Sequence, residues 1–464
     1  MDHDIPMRDQ AIGSLLWKFS IPAIVAMLVN SLYNIIDRIF IGQGVGSVGI
    51  AATTVAFPLM LILMAFSMLI GIGATALISI RLGERRKEEA EKIIANAMAL
   101  LIILPLLLTG IYLLFADSIL ILFGASKEVL PYARDFTHII MLGSFIGSIS
   151  MGMNNFIRAE GNPRLAMYTQ VIGTVINIVL NYVFIFKLGW GIKGSALATL
   201  SGQSFSAIWV LSYFFSERSV VKIRIKNLKL QFPIISSIVT IGFAPFAMQL
   251  ANSIQNLILN KTLIIYGGDM ALSSIGIIMS IATLLFMPIV GVSQGAQPII
   301  GYNFGAQQYD RVKEALQKAI IAASCIAVLG FIIVRCWPTE IVSLFSDGNT
   351  QLTNMTSNAM LIFFTMFPVV GFQIVCSSYF QAVGKAVQSI ILSLSRQVLL
   401  FIPLLLILPN FWGINGVWRT APIADGLAVC LTAAVIYYEI NNITKKHMPD
   451  KKPEIKANPS PETQ

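Results

Sequence analysis

The sequence predicts an all-α membrane protein of twelve transmembrane helices, arranged as two six-helix lobes. Three observations carry that expectation. Of 464 residues, 56% are hydrophobic and only 12% charged, about half the charged share of a soluble domain. Apolar runs long enough to cross a bilayer recur from Leu15 to Ile440, since roughly 20 helical residues span the hydrocarbon core. The second half also repeats the first. Leu250-Ala-Asn252-Ser253-Ile-Gln-Asn256 follows Leu28-Val-Asn30-Ser31-Leu-Tyr-Asn34 at a spacing of 222. Gly73-Ala74 returns as Gly295-Ala296, Gly83 as Gly305, and Gly191-Ile-Lys-Gly194 as Gly413-Ile-Asn-Gly416, all at 222. Arg158-Ala-Glu160-Gly161 matches Gln381-Ala-Val-Gly384 at 223. An even number of spans per repeat makes both halves enter the membrane from the same side. They are therefore parallel repeats, related by a pseudo-twofold axis along the membrane normal.

Taken in order, residues 1–13 form a polar lead-in. Spans over 14–40, 50–80, 92–115, 132–156, 164–188 and 191–216 build the N-terminal lobe, 14–216. A basic connector covers 217–233, and spans over 234–266, 272–300, 312–334, 353–381, 386–409 and 413–440 build the C-terminal lobe, 234–440. The tail, 441–464, is rich in Lys, Pro and Glu and is predicted to be disordered. Lys and Arg concentrate in 81–92, 218–229, 311–318 and the tail, while the intervening loops hold few. The positive-inside rule then places both termini in the cytoplasm. Pro22 and Pro245 interrupt the first span of each half. Each frees a backbone carbonyl and makes a candidate bending point, with static kinks as the plain alternative.

The same composition excludes several classes. The net charge of +9 reflects membrane orientation, so no nucleic-acid partner is expected. The four cysteines fall in or beside apolar segments, without a disulfide framework or zinc spacing. No phosphate-binding loop, dinucleotide fingerprint or metal-ligand cluster is present. The chain is thus expected to be no enzyme and to need no cofactor, and any uphill transport must draw on an ion gradient.

Polar residues inside spans are costly unless they face a cavity or one another. Asn30, Asn34 and Asp37 share one helix face, with Tyr33 beside them. Span 5 adds Gln170, Thr174, Asn177 and Asn181, span 6 adds Ser195, Thr199 and Gln203, and span 4 ends in Asn154 and Asn155. Four such stripes around one carboxylate favour an interior cavity, with Asp37 able to carry a proton or, helped by Asn ligands, to hold Na⁺. In the repeat the position of Asp37 is Leu259. The second half instead has Arg396-Gln397 in span 11 and Asp425 in span 12; the two charges can pair or touch substrate. Glu160, in a loop hairpin, is expected to brace its turn with Arg158 or Arg164.

At this point the residues resemble a family. Ser20-Ile-Pro22 with Asn34-x-x-Asp37, Arg81-Leu-Gly83, Arg158-Ala-Glu-Gly-Asn-Pro163 and Gly191-Ile-x-Gly-x-Ala-x-Ala-Thr199 are similar to motifs of MATE (multidrug and toxic compound extrusion) transporters. So are Gln294-Gly-Ala-Gln-Pro298, Tyr302-Asn-Phe-Gly305, Phe380-Gln-Ala-x-Gly-Lys385 and Leu394-Ser-Arg-Gln397. The likeness covers nearly all of 14–440 and points to the bacterial DinF-like branch, near its MepA-type members. It implies two lobes in a V around a cleft, and export of amphipathic, often cationic compounds in exchange for H⁺ or Na⁺. It also implies a bacterial inner-membrane location, membrane lipids as surroundings and a monomer. The family's ion site would map to Tyr33, Asp37, Asn154, Asn177 and Thr199. Where the family often has a second acid, this chain has Asn181, which favours proton coupling. The family's other acidic positions, in spans 7 and 10, are Gln255 and Gln373 here, so coupling through the C-terminal lobe is not expected. These glutamines, with Arg396 and Asp425, are candidate cleft residues. The rival reading, a lipid-linked precursor flippase of related architecture, would need several cations along the cleft.

Overall fold

In hydrocarbon every backbone N–H and C=O must find a partner within the chain, which leaves the helix as the answer for separate apolar runs. The computed structural model describes residues 7–8, 10–224, 229–345 and 350–447, and helix is the regular structure found among them. The first half comprises α1 (Ile12–Gly44), α2 (Ser47–Gly83), α3 (Lys87–Leu122), α4 (Leu130–Leu142), α5 (Ser144–Ala159), α6 (Pro163–Tyr182) and α7 (Gly191–Phe215). The second comprises α8 (Phe232–Gly268), α9 (Met270–Gly305), α10 (Tyr309–Cys336), α11 (Thr350–Phe363), α12 (Phe367–Ala382), α13 (Ala386–Leu394), α14 (Ile402–Trp412) and α15 (Ile414–His447).

Twelve spans follow from these helices, six in each half. Span 4 is α4 and α5, bent by 53° at Gly143, and span 10 is α11 and α12, bent by 52° at the equivalent place. Span 5 is α6 continued by a π-helical stretch, Val183–Lys187, and span 11 joins α13 to α14 through another, Ser395–Phe401. Spans 7 and 8 meet at Gly268, whose φ of 62° lets the chain turn back. Among the described residues nine spans are long and apolar enough to stand alone and the two bent pairs make eleven. The twelfth, α7, carries Ser195, Thr199 and Gln203, the polar stripe that lowers its hydropathy. Pro22 lies within α1, which continues as helix on both sides of it. Of the tail predicted to be disordered, residues 441–447 continue α15 as helix, and 448–464 lie outside the described residues.

The lobes meet at the end that carries the basic loops, and they meet backbone to backbone. A Cβ on Gly83 would lie 2.0 Å from the carbonyl oxygen of Tyr302, and one on Gly305 would lie 2.1 Å from that of Ile80. Both partners are 222 positions apart, so one contact is written twice across the pseudo-twofold axis. Gly73 packs against Ile238 and Gly242, and its counterpart Gly295 packs against Ser20 in the same manner. Nearer mid-membrane, the Phe66 and Phe246 rings meet at 5.0 Å.

Glu160 departs from expectation. The Arg158 guanidinium is drawn instead to Gln294 and Asn154. The Glu160 carboxylate accepts from Tyr213 Oη (2.8 Å), Ser219 Oγ (2.9 Å) and the backbone N–H groups of Val221 (2.9 Å) and Val220 (3.2 Å). It therefore ties the start of the inter-lobe connector to the N-terminal lobe. Being only 2% exposed, it has its carboxyl pushed up to about 6 by burial, against the pull of these hydrogen bonds.

Candidate functional site

The site grows from three helices of the N-terminal lobe. α1 brings Tyr33 and Asp37 on one face, α6 brings Asn177 and Asn181 one turn apart, and α7 brings Ser195 and Thr199 one turn apart. Spacings of four residues stack side chains along a helix, so each α6 and α7 pair meets the α1 pair at two levels. At the first level Asp37 Oδ1 accepts from Asn181 Nδ2 and, at 3.2 Å, from Ser195 Oγ. At the second, Thr199 Oγ1 is 3.2 Å from Tyr33 Oη and accepts from Asn177 Nδ2, also at 3.2 Å.

Two features decide what this arrangement can do. Asp37 forms no ion pair among the described residues, and its neighbour Arg38 is exposed. The carbonyl oxygens of Asn177 and Asn181 are buried and find no donor among the described residues. A half-buried carboxylate beside two unsatisfied amide oxygens is an acceptor-rich pocket. Such a cluster of acceptors suits a proton on the carboxylate or a small cation beside it. Among the described residues no cluster of three or more His, Cys, Asp or Glu could hold a metal ion.

Other expected members are placed differently. The Asn154 amide is committed elsewhere: Nδ2 donates to the Ala166 carbonyl (2.8 Å) and Thr169 (2.7 Å), and Oδ1 accepts from Arg158 (2.8 Å). It supports Arg158 rather than bonding to Asp37. The side chain of Asn34 lies outside the described residues. Ser195 was a member of the stripe but not of the mapped ion site, and its position one turn before Thr199 was the signal that could have placed it there.

The C-terminal lobe fills the same frame with opposite chemistry. Leu259, where the first lobe has Asp37, is 2% exposed and part of the apolar core. Arg396 Nε donates to Asp425 Oδ1 at 2.5 Å, and its guanidinium lies 5.8 Å from the Phe286 ring centre. Gln397 Nε2 donates to Asn252 Oδ1 at 2.7 Å. Arg396 and Gln397 both sit in the π-helical stretch of span 11, where the widened turn re-aims successive side chains. Gln255, one turn beyond Asn252, and the buried Gln373 each keep a carbonyl oxygen without a donor among the described residues.

Comparisons with known proteins fit this geometry. The family model MatE matches residues 22–183 and 245–407, the same stretch of each repeat. The chain is 26% identical over 437 residues to the multidrug export protein MepA of Staphylococcus haemolyticus, covering 94% of this chain and 96% of that protein. Among solved structures, a MATE protein in complex with MaL6 superposes with a TM-score of 0.91 at 25% identity, over 96% of this chain and all of that one. A MOP superfamily transporter from Pyrococcus furiosus, described by a reversed polarity of its binding pocket, superposes with a TM-score of 0.90 at 25% identity, covering 96% and 99%.

Proposed function

The chain belongs to the MatE family of multi-pass membrane transporters, and from that membership we propose that it is a cation-coupled multidrug efflux antiporter. It exports amphipathic, often cationic compounds in exchange for H⁺ or Na⁺, with Asp37 as the coupling carboxylate. The observation that carries this reading is Asp37 itself, held by Asn181 and Ser195 without a cation, next to two buried amide oxygens that lack donors. A carboxylate in that setting gains by taking up a proton or a small cation.

The lobe contacts support a cycle. With both termini cytoplasmic, the glycine contacts at Gly83 and Gly305 close the cytoplasmic side, as an outward-facing state requires. A proton or Na⁺ reaching Asp37 from outside neutralises it and removes the reason for it to stay hydrated. The N-terminal cavity then shrinks, α1 bends near Pro22, and substrate is released outward. Turning inward, the empty transporter loses the ion to the cytoplasm. Substrate is held chiefly by apolar and methionine contacts, which tolerate varied shapes.

The test uses purified protein in liposomes with a fluorescent cationic dye, comparing wild type with Asp37→Asn under a pH gradient and, separately, a Na⁺ gradient. One gradient is expected to drive dye movement, which identifies the ion, and Asp37→Asn is expected to reduce it to background. Movement indifferent to both gradients, or a fully active variant, overturns the assignment.

A further inference from the structure

Between the lobes, away from Asp37, lies a cavity of about 60 Å³ that the antiport cycle above does not use. The first lobe contributes Met27, Met68, Thr75, Asn155, Arg158 and Gln170, and α9 of the second contributes Gln294, Gln297 and Pro298. Arg158 is its one charged residue. It is 5% exposed and forms no ion pair among the described residues. Its guanidinium donates to two neutral amides, Asn154 Oδ1 at 2.8 Å and Gln294 Oε1 at 2.5 Å. A buried cation held only by neutral acceptors is under-compensated. The Gln297 amide nitrogen points to the same need: it is a buried donor with no acceptor among the described residues, on a residue 8% exposed, whereas Gln170 Oε1 in the same lining is a buried acceptor without a donor and suits the cationic end of a zwitterion. No carboxylate lines the cavity. The nearest in sequence, Glu160, is occupied by Tyr213, Ser219 and the Val220 and Val221 amides.

We propose that this cavity is an anion subsite that receives the carboxylate of an amphipathic, zwitterionic substrate. The inference rests on the transporter reading above and narrows its substrate class. The guanidinium fork matches a carboxylate with two parallel hydrogen bonds, and Gln297 supplies a third donor. Three methionines in the lining, Met27, Met68 and Met151, accept apolar bodies of varied shape. The cavity is the size of a headgroup, so the rest of the substrate is taken up as the lobes part. The geometry links these events. Gln294 belongs to the second lobe and holds Arg158 from across the interface, so an incoming carboxylate that replaces Gln294 Oε1 also removes a lobe-to-lobe hydrogen bond. Binding on this side thereby favours its opening. The pseudo-symmetric position of Arg158 is Gln381, so the duplicated frame has a single anion subsite.

The probes are a rhodamine bearing a free carboxylate and its ethyl ester, which differ in that group alone. Binding to wild-type protein in nanodiscs is followed by fluorescence anisotropy. Wild type is expected to bind the acid more tightly than the ester. Arg158→Gln is expected to weaken the acid by about tenfold and leave the ester unchanged or improved. Gln297→Leu, which keeps the arginine in place, is expected to weaken the acid alone by a few-fold, so the proposal stays testable if Arg158→Gln does not fold. Equal loss for both dyes, or an unchanged acid-to-ester ratio in the folded variants, overturns it. The measurement is repeated in phosphatidylcholine with and without phosphatidylglycerol. Competition by the anionic lipid would assign the subsite to a lipid headgroup and overturn the substrate assignment; its absence supports the substrate. Because equilibrium binding needs no gradient, failure here is distinct from failure of Asp37-dependent transport.

Discussion

The two lobes share one frame and, apart from Glu91, which pairs with Arg224 at 2.8 Å, use their buried carboxylates in opposite ways. In the N-terminal lobe Asp37 lies among amides and hydroxyls, whereas in the C-terminal lobe Asp425 faces Arg396. The contrast recurs nearer the basic end. Glu160 is held by neutral donors alone, while Glu439 is gripped by Lys385 at 2.6 Å. A carboxylate with a fixed cation is satisfied and stays ionised. One with only neutral partners is left able to exchange its own cation, which is the property a coupling site needs. The duplicated frame thus carries one carboxylate that is charge-compensated and one that is not.

The largest expected effect tests the compensated half. Asp425→Asn leaves Arg396 partly buried without its partner and is expected to cost about 3–5 kcal/mol, read by thermal unfolding in detergent. Adding Arg396→Gln should restore much of that loss, and a single variant as stable as wild type would break the comparison. The next concerns Glu160. Its carboxyl lies at about 6 in the folded protein against 4.5 ordinarily, so protonation favours the fold. That contribution is complete below pH 4.5 and is lost as pH rises through 6, about 2 kcal/mol in all. Unfolding midpoints at pH 4.5 and 7.5 should therefore move wild type down relative to Glu160→Gln, and a pH-independent difference would contradict the assignment. The smallest effect is the most pointed. Asp37→Asn removes a charge that has no partner, so stability should change by about 1 kcal/mol or less, unlike Asp425→Asn. What should vanish is any stabilisation by added Na⁺, while the low-pH gain that Glu160 supplies should remain.

Much of this was legible in the chain before any coordinates. The span positions and the repeat follow from hydropathy and from identities at a fixed spacing. Tyr33, Asp37, Asn177, Asn181 and Thr199 could be grouped because helical periodicity puts them on facing stripes, and the structure joins them. The pairing of Arg396 with Asp425 was one of two open alternatives. Other features were not legible, because periodicity gives a face and not a rotamer. Asn154 shares the stripe yet turns to Arg158, since a buried guanidinium is the stronger claimant for its carbonyl. Glu160 has two arginines within four residues, yet is claimed by a connector some sixty residues away. The π-helical turn that aims Arg396 and Gln397 arises from local packing, and no residue pattern announces it.

The seal between the lobes has a final consequence. At Gly83 and Gly305 the two lobes touch through peptide groups, with no side chain between them, while the flanking Ile78, Leu82, Ile299 and Ile300 are buried in a core that both lobes share. One elementary charge crossing a 100 mV potential supplies about 2.3 kcal/mol, and the hydrophobic cost of separation grows at about 25 cal/mol per Å². If the chain is coupled as proposed, peptide contacts at these two points add no apolar area of their own to the cost of each stroke.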